Sequence, residues 1–331
     1  MVEWRYYNIM ECVHSMEIFL STFSQMLVMF CFILTGFLLK KFALLPDNAD
    51  KVLSKLENYV LVPALVIDTF MTNCHIGPLV ENANLIMYSL ILLAAALAIS
   101  LPLSKVFARG AADEAYQRSI YKYALTFGNF SFMGNAVVLG VLGDAGLFKY
   151  LLFTLPLNIA VYTWGVIILV PHGAVKGSPL KNLFNPIFVS LLFGMLLGIF
   201  DVGAYLPGFL TSTISGAKAC MGPIAMILTG FVIGGYNIRA LLAKGRVYIA
   251  AALRLIVIPA LMLGGLRFFG AGEDVLTPAL FAFATPLGLN TVVFPAAYGG
   301  DTETGASMAM ISHTLSVITI PLMYLVFIVT L

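Results

Sequence analysis

Two short stretches hold the residues best suited to chemistry in an otherwise apolar chain. FGNFSFMGNAVVLG (Phe127–Gly140) gathers Gly128, Asn129, Ser131, Gly134 and Asn135, and ATPLGLNTVVFP (Ala284–Pro295) gathers Pro286, Gly288, Asn290 and Thr291. Neither contains a Cys, His, Asp, Glu, Lys or Arg. Amides and hydroxyls beside helix-breaking Gly and Pro therefore suit recognition by hydrogen bonding, not metal binding or nucleophilic attack. At membrane depth such residues leave backbone groups unpaired unless they face protein, water or a ligand. The plain alternative is close helix packing with hydrogen bonds between helices. Two matching interruptions in corresponding segments favour a solute site. On that reading Asn129, Ser131, Asn135, Pro286, Asn290 and Thr291 are the expected substrate-binding residues, with no catalytic residue and no metal.

Other polar residues fall inside apolar segments. Asp68 and Lys218 are candidates for ion coupling, to sodium or protons, because intramembrane charges mark ion paths; Lys218 either pairs with a carboxylate or snorkels outward. Arg254 is expected to be structural, reaching toward the cytoplasmic surface. His313 and Asn158 are expected to be satisfied packing residues. The four cysteines have no CxxC spacing. Only Cys12 and Cys74, each next to or near a histidine (His14, His75) and expected on one side, leave room for a disulfide or metal site. HExxH and GxSxG patterns and paired intramembrane aspartates are absent, which argues against an enzyme.

The elements that position these residues are membrane helices. The 331 residues are 60% hydrophobic and 10% charged, against roughly 25% charged in a soluble domain. Leu85–Leu103 and Leu151–Val170 run for about 20 residues almost without charge, the length a helix needs to cross a bilayer. A net charge of +2 gives no case for nucleic acid. Met1–Glu17 lacks the apolar core of a cleavable signal and reads as an extracytoplasmic segment before a retained helix.

Apolar runs give ten spans near 18–39, 56–73, 83–104, 119–140, 148–170, 186–205, 208–235, 247–268, 276–298 and 306–331. If the first ends inside, thirteen of the 18 basic residues lie in cytoplasmic loops and helix ends, against Arg5, Lys149 and Arg267 outside. That bias places both termini outside. GFLLKKF (Gly36–Phe42) is echoed by GMLLGIF (Gly194–Phe200), VPALVI (Val62–Ile67) by GPIAMI (Gly222–Ile227), and FTL (Phe153–Leu155) by HTL (His313–Leu315), at offsets of 158, 160 and 160. The reading is an all-α polytopic membrane protein of two inverted five-helix repeats, 18–171 and 186–331, joined by a cytoplasmic linker 172–185, with spans 4 and 9 broken.

Several of these segments together resemble the auxin efflux carrier (PIN-like) family, in its form without a long central loop. They are GNFSFMGNAVVLGVLGDAG (Gly128–Gly146), NPIFVSLLFGMLLG (Asn185–Gly198), GPIAMILTGFVIGG (Gly222–Gly235), RLIVIP (Arg254–Pro259) and ATPLGLNTVVFPAAYGGDTETGASMAMISHTLSVITIP (Ala284–Pro321). The resemblance implies a fold like that of bile-acid carriers and sodium/proton antiporters, with helices 4 and 9 crossing at the membrane centre. It implies a scaffold of spans 1, 2, 6 and 7, a transport unit of spans 3–5 and 8–10, and a homodimer through the scaffold. One departure stands out: Ala136, after Asn135, occupies the place of the family's proline in the first crossing helix.

The expected function is secondary transport of a small organic anion, a carboxylate, by alternating access of the elevator type. The expected location is a bacterial inner (plasma) membrane, with lipid and substrate as partners and no cofactor. The alternatives are a PIN-like channel and a ligand-sensing bundle.

Overall fold

The computed structural model describes residues 2–169, 184–297 and 302–329, and every named element in them is helical. Helix α1 (Val2–Lys41) is 40 residues long, about 60 Å at 1.5 Å per residue and twice a bilayer core. Its apolar part, Phe19–Lys41, is the part suited to spanning. Past its end, Lys40 Nζ donates to Asp47 at 2.7 Å, which holds the Asp47 carboxyl below the usual carboxylate range. The chain returns through α2 (Ala49–Leu56), a π-helical turn (Glu57–Leu61) and α3 (Val62–Asn73). Pro63 has no N–H for the Tyr59 carbonyl, so the ordinary helical bond is missing there and the widened turn absorbs the mismatch.

After α4 (Ile76–Glu81) and α5 (Asn84–Ala108), Asp113 accepts from the Tyr116 N–H at 2.9 Å and caps α6 (Glu114–Thr126). A break at 127–129 leads to a π-helical turn (Phe130–Gly134) and α7 (Asn135–Ala160). Gly143 divides α7 into two arms, with φ 67° and ψ −164°, a backbone essentially reserved for glycine. The second arm continues through a π-helical turn (Val161–Gly165) into α8 (Val166–Leu169).

Asn185 caps α9 (Pro186–Ile199), with Pro186 in the first turn where a missing N–H costs nothing. A 3-10 turn (Val202–Tyr205), α10 (Gly208–Gly234), α11 (Ile238–Leu242) and α12 (Gly245–Ala252) follow. Next come a π-helical turn (Leu253–Val257) that precedes Pro259 as the earlier one precedes Pro63, then α13 (Ile258–Phe268) and α14 (Glu273–Phe283). A second break at 284–289 leads to α15 (Asn290–Ala297), and α16 (Glu303–Tyr324) ends in a π-helical turn (Leu325–Val329).

Helices α1, α3, α9 and α10 pack on one another; α5, α6, α7 and α12–α16 form the other set of contacts, with α1 also meeting α16. Helix α1 lies so close to α10 that a Cβ on Gly230 would sit 1.8 Å from the Ile33 carbonyl oxygen, the close approach that small residues allow between membrane helices. Large apolar side chains face outward on both sets, among them Leu20, Leu34, Ile91, Phe193 and Ile318. Such a surface is stable in hydrocarbon and not in water.

Six segments are long and apolar enough to cross a membrane: Phe19–Lys41, Ile76–Ala108, Phe130–Gly165, Gly208–Gly234, Gly245–Phe268 and Glu303–Ile328. The other expected spans differ for visible reasons. The second begins in a charged turn, the sixth is a 14-residue helix, and the fourth and ninth are interrupted. The linker lysines Lys176 and Lys181, and Tyr298–Asp301, lie outside the described residues.

Candidate functional site

The two breaks meet. Phe127 and Gly128 leave the helical conformation after α6, and Gly128 pairs with Leu287 as an antiparallel bridge. The Asn129 N–H donates to the Pro286 carbonyl at 2.7 Å. Gly128 is required by this approach: a Cβ there would lie 2.5 Å from Thr285 Oγ1 and 2.6 Å from Arg254 Nη2. The break therefore needs no proline at 136, and Ala136 sits inside α7 beyond it.

Buried side chains clamp the inner ends of the half-helices. Arg254, fully buried, donates through Nη1 to the Leu125 and Thr126 carbonyls (3.5 and 3.4 Å) and through Nη2 to the Ala282 carbonyl (3.2 Å). Its guanidinium lies 5.6 Å from the centre of the Phe283 ring. The C-terminal ends of α6 and α14 both carry partial negative charge, and one buried cation meets both. Tyr150 likewise donates to the Phe130 carbonyl at 2.8 Å and the Phe281 carbonyl at 3.3 Å. Arg254 thus corrects the expectation of a residue reaching toward the cytoplasm: the free carbonyls of two interrupted helices hold it inside.

The expected site residues divide into two groups. Asn129 Nδ2 lies 3.0 Å from His313 Nε2, and His313 Nδ1 lies 2.7 Å from the Ala309 carbonyl. Donation by Asn129 fits a neutral imidazole with its proton on Nδ1. Asn290 donates to the Tyr123 hydroxyl at 2.9 Å, and Thr291 Oγ1 to the Gly288 carbonyl at 2.8 Å. Asn129, Pro286, Asn290 and Thr291 therefore belong to the crossing itself.

Ser131 and Asn135 instead line a pocket between the crossing, α3, the second arm of α7 and α9. Its cavity volume is only about 20 Å³, room for about one water molecule in this conformation, and Asn158, Asn185, Val62 and Tyr162 also line it. Ser131 donates to Asn158 Oδ1 at 3.3 Å. Asn158 is thus brought to the pocket, where spacing alone gave it only a packing role.

At each break a carbonyl next to the crossing accepts the amides of the following turn. The turn Phe130–Gly134 has no side-chain cap, and the Asn129 carbonyl accepts the Met133 and Gly134 N–H groups. At the second break, the Gly288 and Leu289 carbonyls accept the Thr291, Val292 and Val293 N–H groups, and Ser312 Oγ accepts from Leu287.

Asp68 and Lys218 lie away from the crossing. Lys218 Nζ donates to Asp68 Oδ2 at 2.7 Å and also bonds Asp144, which follows the Gly143 kink. The ion cluster joins α3 and α10 to α7. Asp144 was not singled out by sequence, where it is one carboxylate beside a glycine. Cys74 is a free, buried thiol, and the side chains of Cys12 and His14 lie outside the described residues.

Two archaeal proteins are similar over nearly their whole length. An uncharacterized transporter of Methanocaldococcus jannaschii is 24% identical over 304 residues, 89% of this chain and 96% of that protein. An uncharacterized transporter of Methanothermobacter thermautotrophicus is 20% identical over 307 residues, 92% of this chain and 98% of that protein. Residues 21–324 match the family described as membrane transport protein. With its apolar helices and this match over most of its length, the chain is an integral membrane protein of that family of transporters, the auxin efflux carrier family.

Proposed function

We propose that this protein is a secondary transporter of a small organic anion, moving a carboxylate by alternating access of the elevator type. Ten crossings arranged as two inverted five-helix repeats accommodate the six long helices, the shorter ones and the two broken ones. In this reading α1–α3 with α9 and α10 are the scaffold, through which a homodimer forms. The remaining helices carry the substrate. The membrane is the plasma membrane, with both termini outside.

The observation that carries the reading is the join of the two breaks, Asn129 N–H to Pro286 carbonyl at 2.7 Å, beside a pocket lined by Ser131 and Asn135. Four half-helix ends meet there. Arg254 neutralises the two negative ends, which leaves the positive ends to favour an anion. Asn129 and Asn290 each use one amide hydrogen in the bonds described and keep another for a carboxylate. Asp68, Lys218 and Asp144 tie the two bodies together in this conformation.

A hydrogen bond to a charged group contributes roughly 1.5–3 kcal/mol, so Asn129→Ala and Asn290→Ala should each weaken binding about tenfold to a hundredfold. The experiment is saturable uptake and counterflow of carboxylates in liposomes, followed by affinity measurement on both variants. Wild-type affinity in both, or a cation as the transported solute, refutes the proposed site.

A further inference from the structure

Glu57 opens the π-helical turn of the second segment and is fully buried, with no hydrogen-bond partner for either carboxyl oxygen. The polar side chains beside it are engaged with each other: Asn58 Nδ2 donates to the Ser54 carbonyl at 2.8 Å and lies 3.4 Å from Ser54 Oγ. Helices α9 and α10 pack on the turn. Helix α9 has no ionisable residue, and α10 has only Lys218 and Cys220. Lys218 is already bonded to Asp68 and Asp144, and Cys220 is exposed. On the same bent helix Lys51 and Lys55 are exposed, Asp50 is half-buried, and Asp68 is eleven residues further along (68 − 57).

An ionised carboxylate without water or counter-charge is far costlier to bury than the neutral acid. A metal ion would need several oxygen ligands, and no cluster of three His, Cys, Asp or Glu side chains occurs among the described residues. Asp68, in contrast, has its counter-charge in Lys218. π-helical turns inside α-helices are also frequent at functional sites.

We propose that Glu57 is a proton-binding site, occupied in this conformation, and that Glu57 and not Asp68 brings a proton into the transport cycle. The proton is held by the packing of α9 and α10 on the turn. Water or a cation reaching the turn in another conformation releases it. The second half of the inference rests on the alternating-access reading, and the first half does not.

Infrared spectroscopy of the whole protein in lipid nanodiscs, with isotope-labelled glutamate, tests the first half. A label-shifted carboxylic-acid band is expected at neutral pH, absent in Glu57→Gln and unchanged in Asp68→Asn. Of the other glutamates whose side chains are described, Glu81, Glu114, Glu273 and Glu303 are all exposed. The absence of that band in wild type, its survival in Glu57→Gln, or its removal by sodium or lithium overturns the site. If Glu57→Gln does not fold, the wild-type band with and without these cations decides. The second half is read in liposomes: accumulation of a confirmed substrate driven by a pH gradient should fall at least about tenfold in Glu57→Gln and persist in Asp68→Asn. An acid band with unchanged gradient-driven accumulation in Glu57→Gln overturns coupling alone. Absence of any carrier flux in wild type refutes the transport reading while leaving the infrared result intact.

Discussion

Lys218 and Arg254 are both basic side chains buried in membrane-depth helices, and the fold partners them by different means, with Arg254 Nε left without a hydrogen bond. Lys218 has two carboxylates. Asp144 is half exposed and its pairing is weakened by solvent, whereas Asp68 has only 15% of its side chain exposed. Removing the cation leaves Asp68 without a partner, and breaking a buried pair costs about 3–5 kcal/mol. Lys218→Met should therefore lower the thermal midpoint in detergent strongly, and Lys218→Met with Asp68→Asn should recover most of the loss. Equal midpoints for the single and double variants would show that Asp68 does not depend on Lys218. Arg254 instead meets main-chain carbonyls at the ends of two half-helices.

At the scale of elements, interruptions do more than regular helix. Pro63 and Pro259 each follow a π-helical turn, and those turns carry the buried ionisable side chains Glu57 and Arg254. A missing proline N–H loosens the preceding turn, and the loosened turn presents a side chain the regular helix would place elsewhere. Gly143 acts through its backbone alone: a Cβ there meets nothing within 4 Å, yet φ is +67°. Gly143→Ala should cost about 1–3 kcal/mol from backbone strain. It should lower the thermal midpoint with helical content retained in circular dichroism, because both arms of α7 persist while their angle changes. Gly128→Ala faces a different obstacle, since its Cβ would run into Thr285 and Arg254.

At the scale of the whole molecule, the proposed orientation rests on basic residues concentrated at one end of the expected spans. Tags placed at either terminus should be digested by protease added to spheroplasts. Digestion confined to inverted vesicles would reverse the orientation and remove the argument for two inverted repeats. The outward Leu, Ile and Phe side chains of both sets of helices fit the same lipid surroundings.

Composition and spacing were enough to establish a membrane helix bundle, because hydrocarbon admits only segments that satisfy their own backbone. They also located both interruptions, since Gly, Asn and Pro at membrane depth are visible in one dimension. Which partner each interrupted end finds is a matter of three-dimensional proximity. Asn129 meets His313, 184 positions away, and Arg254 meets Thr126, 128 positions away. Neither distance leaves a periodic trace in the sequence. Asp68 and Glu57 look alike as carboxylates in one apolar segment; only packing gives the first a lysine and leaves the second with none. Helix periodicity reports which face of a segment is apolar, whereas the partner of a buried charge is decided by which other helix arrives against that face.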